Sequence, residues 1–121
     1  MDYTLTFEKR EGYLYFYVTG RDSLEVSKAF WREIIETTLK LNYNKVLVDE
    51  DLEDTVSFGE IYDIITTGLE IPNIREISIA VVDRHIDQTN LNLFGAIVAS
   101  NRGINTKIFT TLEDAEQWLR S

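Results

Sequence analysis

Apolar and polar residues alternate through Tyr3-Thr4-Leu5-Thr6-Phe7-Glu8, the period-two pattern of a half-buried strand at a sheet edge. Glu11-Gly12 supplies a turn, and Tyr13-Leu14-Tyr15-Phe16-Tyr17-Val18 follows as a strand covered on both faces. The short link makes the pair an antiparallel hairpin. Tyr13, Tyr15 and Tyr17 then share one face, and Leu14, Phe16 and Val18 the other. Gly20-Arg21-Asp22-Ser23 is read as a break in the strand, with Asp22 or Ser23 capping a helix that runs to about Leu41. Asp22 and Glu25 have the spacing of a capping box. Leu24, Trp31, Ile34, Ile35, Thr38 and Leu41 form the inward stripe of this helix, while Lys28, Arg32, Glu33, Glu36 and Lys40 stay in water.

The second half alternates strand and helix. Lys45-Val46-Leu47-Val48-Asp49 is an unbroken β-branched run without alternation, as in parallel strands buried on both faces. An acidic loop and a helix over about Phe58–Gly68 come next, with a stripe of Phe58, Ile61, Tyr62, Ile65 and Leu69. Ile77–Asp83 is another buried strand. A polar loop leads to a helix bearing Leu91, Phe94, Ile97 and Val98, which Gly103 is placed to stop. Thr106–Phe109 is the last strand, and Thr111 starts a final helix with Ala115, Trp118 and Leu119 facing inward. The order β-β-α-β-α-β-α-β-α predicts an α/β fold with a mixed, mainly parallel sheet flanked by helices. Val46–Asp49, Ile77–Val82 and Thr106–Phe109 are its expected parallel strands. A length of 121 residues with no linker or repeat makes residues 1–121 one expected domain.

Composition narrows the function. Twelve basic residues against 21 acidic ones give a net charge of −9. That argues against non-specific nucleic-acid binding and against anionic membrane surfaces, both of which need Lys and Arg. The absence of cysteine excludes disulfides, thiol catalysis and Cys-ligated zinc. No apolar run approaches the ~20 residues of a membrane span. Met1-Asp2-Tyr3-Thr4 shows no signal-peptide character, so a cytoplasmic location is expected.

Two places resemble the STAS domain of sulfate transporters and anti-sigma-factor antagonists: Lys45-Val46-Leu47-Val48-Asp49, like its third strand, and Phe109–Leu119, like its closing strand and helix. The element order resembles the wider SpoIIAA-like fold, which includes CRAL-TRIO-like lipid-binding relatives. In the antagonists an Asp-Ser-Ser/Thr-Gly stretch begins the helix after the third strand and holds a phosphorylated Ser. This chain has Asp54-Thr55-Val56-Ser57-Phe58-Gly59 there, with different spacing. The resemblance implies a non-catalytic, regulatory interaction or ligand-binding module.

Candidate site residues cluster in the same region. Ser57 and Glu60 have the S-x-x-E spacing of a capping box, with Val56 and Ile61 as a hydrophobic staple. The alternative role of Ser57 is a phosphorylation or docking site at a helix N-terminus. Asp49, Glu50, Asp51, Glu53 and Asp54 read as a solvated acidic loop at the C-terminal edge of the sheet, where ligands of α/β proteins bind. Their spacing does not fit an EF-hand. A receiver domain is disfavoured by the initial hairpin. Asp49, Asp51, Glu53, Asp54, Thr55 and Ser57 are thus the candidate binding or regulatory positions, expected to meet a basic protein partner. No catalytic residue, metal site or cofactor is expected, because neither a Gly-x-Ser-x-Gly elbow nor a phosphate-binding Gly-rich loop can be written. The sole histidine, His85, reads as an exposed loop residue. The rival readings are a carrier of lipid or another small apolar ligand, and a small hydrolase using the acidic loop and His85 with Ser57 or Ser100.

Overall fold

The computed structural model describes residues 2–121; Met1, the first residue of the N-terminal segment, lies outside them. Five strands form one sheet in the order β1-β2-β3-β4-β5. They are β1 (Tyr3–Arg10), β2 (Tyr13–Arg21), β3 (Lys45–Glu53), β4 (Ser78–Asp83) and β5 (Asn105–Phe109). β1 and β2 are antiparallel, and every later neighbour is parallel. The helices are α1 (Leu24–Lys40), α2 (Phe58–Leu69), α3 (Thr89–Asn101) and α4 (Leu112–Arg120).

Period-two alternation in the strands builds two unequal layers. Leu14, Phe16, Val18, Val46, Val48, Ile79 and Val81 face the larger core, which α1 closes with Phe30, Ile34 and Ile35. Tyr13, Leu47, Ala80 and Val82 face the other way, onto Ala115 and Leu119 of α4. The single helix α4 packs mainly on β3, β4 and β5. α2 lies against α1 and α3. The α3 C-terminus is closed by Gly103 at φ +87°, the left-handed conformation that glycine adopts without strain.

Four sequence expectations are corrected. The strand does not break at Gly20: β2 continues through Arg21, paired with β3 as far as Arg21–Glu53. Gly20 sits at φ +132°, and a Cβ there would come within 2.3 Å of the Asp2 carbonyl oxygen, so this glycine permits close approach to the neighbouring chain. Of the two expected cap candidates Ser23 caps α1, its hydroxyl accepting from the Val26 amide, and the expected Asp22–Glu25 box gives way to Asp22 accepting from the Ser23 amide and the Ser27 hydroxyl. The acidic loop is mostly strand, since β3 runs to Glu53. Finally, Phe58, Tyr62 and Ile97 are not inward-facing: they are 53%, 46% and 60% exposed.

Candidate functional site

Because β3 continues through its acids, alternation sends them to opposite faces. Asp49 and Asp51 lie on the tyrosine face of β2. Asp49 is fully buried and accepts from the Tyr15 hydroxyl and from two nitrogens of Arg84, at 3.0 and 2.8 Å. Burial, the hydrogen bond to Asp49 and the Asp49 charge push the Tyr15 phenol up to about 12. Asp51 accepts from Tyr17 at 2.7 Å and lies 3.0 Å from Nε2 of His85. These hydrogen bonds hold its carboxyl below the ordinary aspartate range. The Arg84 guanidinium also covers the Tyr17 ring. The tyrosine row is therefore divided: Tyr13 is core, with its hydroxyl on Glu116, and Tyr15 and Tyr17 hold carboxylates.

Glu50 points to the opposite face and is buried there. Glu53 and Asp54 are exposed, and both pair with Arg21. Asp54 turns the chain at φ +61°, and its carbonyl oxygen accepts from the Gln88 side-chain amide at 3.0 Å. The Thr55 hydroxyl donates to the Val56 carbonyl oxygen. Hence the candidate carboxylates do not form one solvated cluster, and only Glu53, Asp54, Thr55 and Ser57 share the exposed segment before α2.

Ser57 caps α2 in a complete capping box: its hydroxyl accepts from the Glu60 amide, and the Glu60 carboxylate accepts from the Ser57 amide at 2.9 Å. Val56 beneath it is buried. Ser57→Ala should cost about 1 kcal/mol in chemical denaturation, and Ser57→Asp should stay near wild type, since Asp caps equally well.

His85 faces Asp51, the Ser57 hydroxyl is used by its helix, and the Ser100 hydroxyl lies 3.4 Å from the Thr106 carbonyl oxygen. Among the described residues no three His, Asp or Glu side chains are grouped to hold a metal ion.

The feature that sequence reasoning missed is an aromatic patch on α2 and α3. Phe58 and Tyr62 meet Phe94 edge-on, at centroid distances of 5.1 and 5.7 Å. Leu93 and Ile97 of α3 and Ile86 before it are exposed as well. Asp63 of α2 and Asp87, in the short turn before α3, are exposed acids, and Glu53 and Asp54 lie just before α2. The signal was in α2 itself: Phe58, Ile61, Tyr62, Ile64, Ile65 and Leu69 span too wide an arc for one buried face.

No family model matches this chain, and no curated protein matches it in sequence. Solved structures do. A crystal structure of an anti-sigma factor antagonist from Mycobacterium paratuberculosis superposes with a TM-score of 0.65 at 17% identity, over 98% of this chain and 95% of the other. The NMR structure of the protein TM1081 gives 0.52 at 17% identity, over 94% and 86%. The fold is STAS-like. At this identity the likeness concerns architecture, and the architecture matches element for element the expected SpoIIAA-like order. No helix among the described residues is long and apolar enough to cross a membrane.

Proposed function

We propose that this chain is a non-catalytic, regulatory interaction module that docks a basic, amphipathic segment of a protein partner on the exposed patch of α2 and α3. The observation that carries this reading is the Phe58–Phe94–Tyr62 cluster, in which Phe58 and Tyr62 are about half exposed, on a helix that also carries the exposed acid Asp63 and follows Glu53 and Asp54 in the chain. Contiguous exposed aromatics supply binding area, and surrounding acids select and steer a cationic partner. A solved structure of the same fold is named an anti-sigma factor antagonist, a name that describes action on another protein. The engagement of Ser57 in its cap supports a non-catalytic role for that hydroxyl.

The test begins with capture from lysate on immobilised protein, followed by affinity measurement with the purified partner. Phe58→Ser and Asp63→Lys should each weaken binding at least about tenfold, equal to roughly 1.4 kcal/mol. Raising ionic strength should weaken the wild-type complex. Phe58 is half exposed, so the variant should keep its fold. A partner whose affinity ignores both substitutions docks elsewhere, and the reading is then wrong.

A further inference from the structure

Beneath α2 the large core is not filled. A cavity of about 130 Å³ lies between the sheet and helices α1, α2 and α3, with Trp31, Ile61, Ile65, Val81, Leu91 and Gly95 among its walls. Its polar lining includes Asp22, Glu50, Gln88 and Asn92, which belong to the C-terminal edge of the parallel strands and the segments that follow them.

Glu50 sets this cavity apart. The residue is 8% exposed, and among the described residues nothing hydrogen-bonds to its carboxyl group. Every side-chain polar atom sealed from solvent in the described chain does have a partner. The Glu50 oxygens are therefore not sealed by protein; they face the free space of the cavity. Nearby acids are already occupied. Asp22 accepts from Ser27 and Ser23, and Asp83, level with Glu50 on β4, accepts from Asn92 and the His85 amide. No Lys, Arg or His lines the cavity. The protein thus gathers carboxyl groups around an apolar space, and among the described residues no cationic side chain lines it.

We propose that this cavity is a binding site for a small amine: an alkyl or aryl body against the apolar walls, with its ammonium head on the Glu50 carboxylate. An apolar cavity of about this volume accommodates a benzene-sized body. An ammonium there gains a charge-assisted hydrogen bond from its N–H to the carboxylate. Burial and the charges of Asp83, Asp22 and Asp49 push the Glu50 carboxyl well above its ordinary range, and a cation beside it draws the group back toward the ionised form. An arriving ammonium forms an ion pair with the carboxylate, and any proton that Glu50 held leaves to solvent. This site lies on the inner side of α2 and does not depend on the docking role of the outer side.

Benzylamine is the probe, with benzyl alcohol and toluene as uncharged counterparts of the same shape. Calorimetry near neutral pH should show benzylamine binding at least tenfold tighter than benzyl alcohol. In buffers of different ionisation enthalpy it should release up to one proton per molecule bound. Glu50→Gln should bring the two affinities together and abolish the proton release. Ala96→Phe, which fills the cavity from α3, should remove binding of both. Methyl NMR of the wild type places the probe without reference to any variant: Ile61, Ile65 and Val81 should shift together. Equal affinity for amine and alcohol overturns the proposal. So does amine binding that survives Glu50→Gln, or shifts confined to surface methyls, or no binding at millimolar concentrations.

Discussion

Arg84→Met should destabilise the fold by about 2–3 kcal/mol in urea denaturation, a large effect for a half-exposed side chain. The cost falls on Asp49 rather than on the arginine. Asp49 has no exposed surface, and Arg84 is its only cationic partner among the described residues. Removing the guanidinium leaves a buried carboxylate with the Tyr15 hydroxyl as its sole side-chain donor. Breaking a fully buried pair typically costs about 3–5 kcal/mol, and the exposure of Arg84 lowers that figure because water reaches its place. Asp49→Asn in the same background removes the stranded charge and should restore more than half of the loss. Such recovery is the signature of a coupled pair in a double-mutant cycle. An Arg84→Met variant within about 0.5 kcal/mol of wild type would show that Asp49 does not need the ion pair.

The same residues explain how far the sequence could be read. Unbroken apolar runs at Val46–Val48 and Ile79–Val82 announce parallel strands, because only strands covered on both faces lose their alternation. The Ser57–Glu60 box is equally legible, since its chemistry lies within one turn of helix. The strand character of Asp49–Glu53 is not local. Acids in a strand are acceptable here because Tyr15, Tyr17 and Arg84, distant in sequence, supply donors on one face, and because β2 continues alongside to Arg21. Leu52, buried among acids, was the one local hint. Gly20 misleads for a related reason: its role is contact with Asp2, which no neighbouring residue reveals.

Periodicity has a similar limit in the helices. It locates an apolar stripe but not what lies opposite it. α2 rests on α1 and α3, so Ile61, Ile64 and Ile65 look into the cavity while Phe58 and Tyr62 look out. Both the docking patch and the cavity follow from that placement. One helix carries two apolar faces, neither completely filled by the rest of the chain.

Glu50→Leu should raise stability, and the gain should grow with pH. Glu50 is buried without a hydrogen-bond partner, near Asp83, Asp22 and Asp49. Its carboxyl therefore binds a proton more tightly in the folded protein than in the unfolded chain, where the ordinary value is 4.5. Between that value and the raised one, the folded state holds more protons than the unfolded state. Stability must then fall as pH rises through the interval. The favourable contribution of the neutral acid is complete below the ordinary value and lost once pH passes the raised one. Leucine has no proton to lose, so the variant escapes this decline. Near pH 4 the two proteins should differ mainly by packing. At pH 8 the variant should be more stable by at least about 1–3 kcal/mol, the cost of a buried polar group left without a partner. Melting curves at intervals from pH 4 to pH 8 give the comparison. A stability gap that stays flat across this range would mean that Glu50 is already solvated or paired in the folded protein.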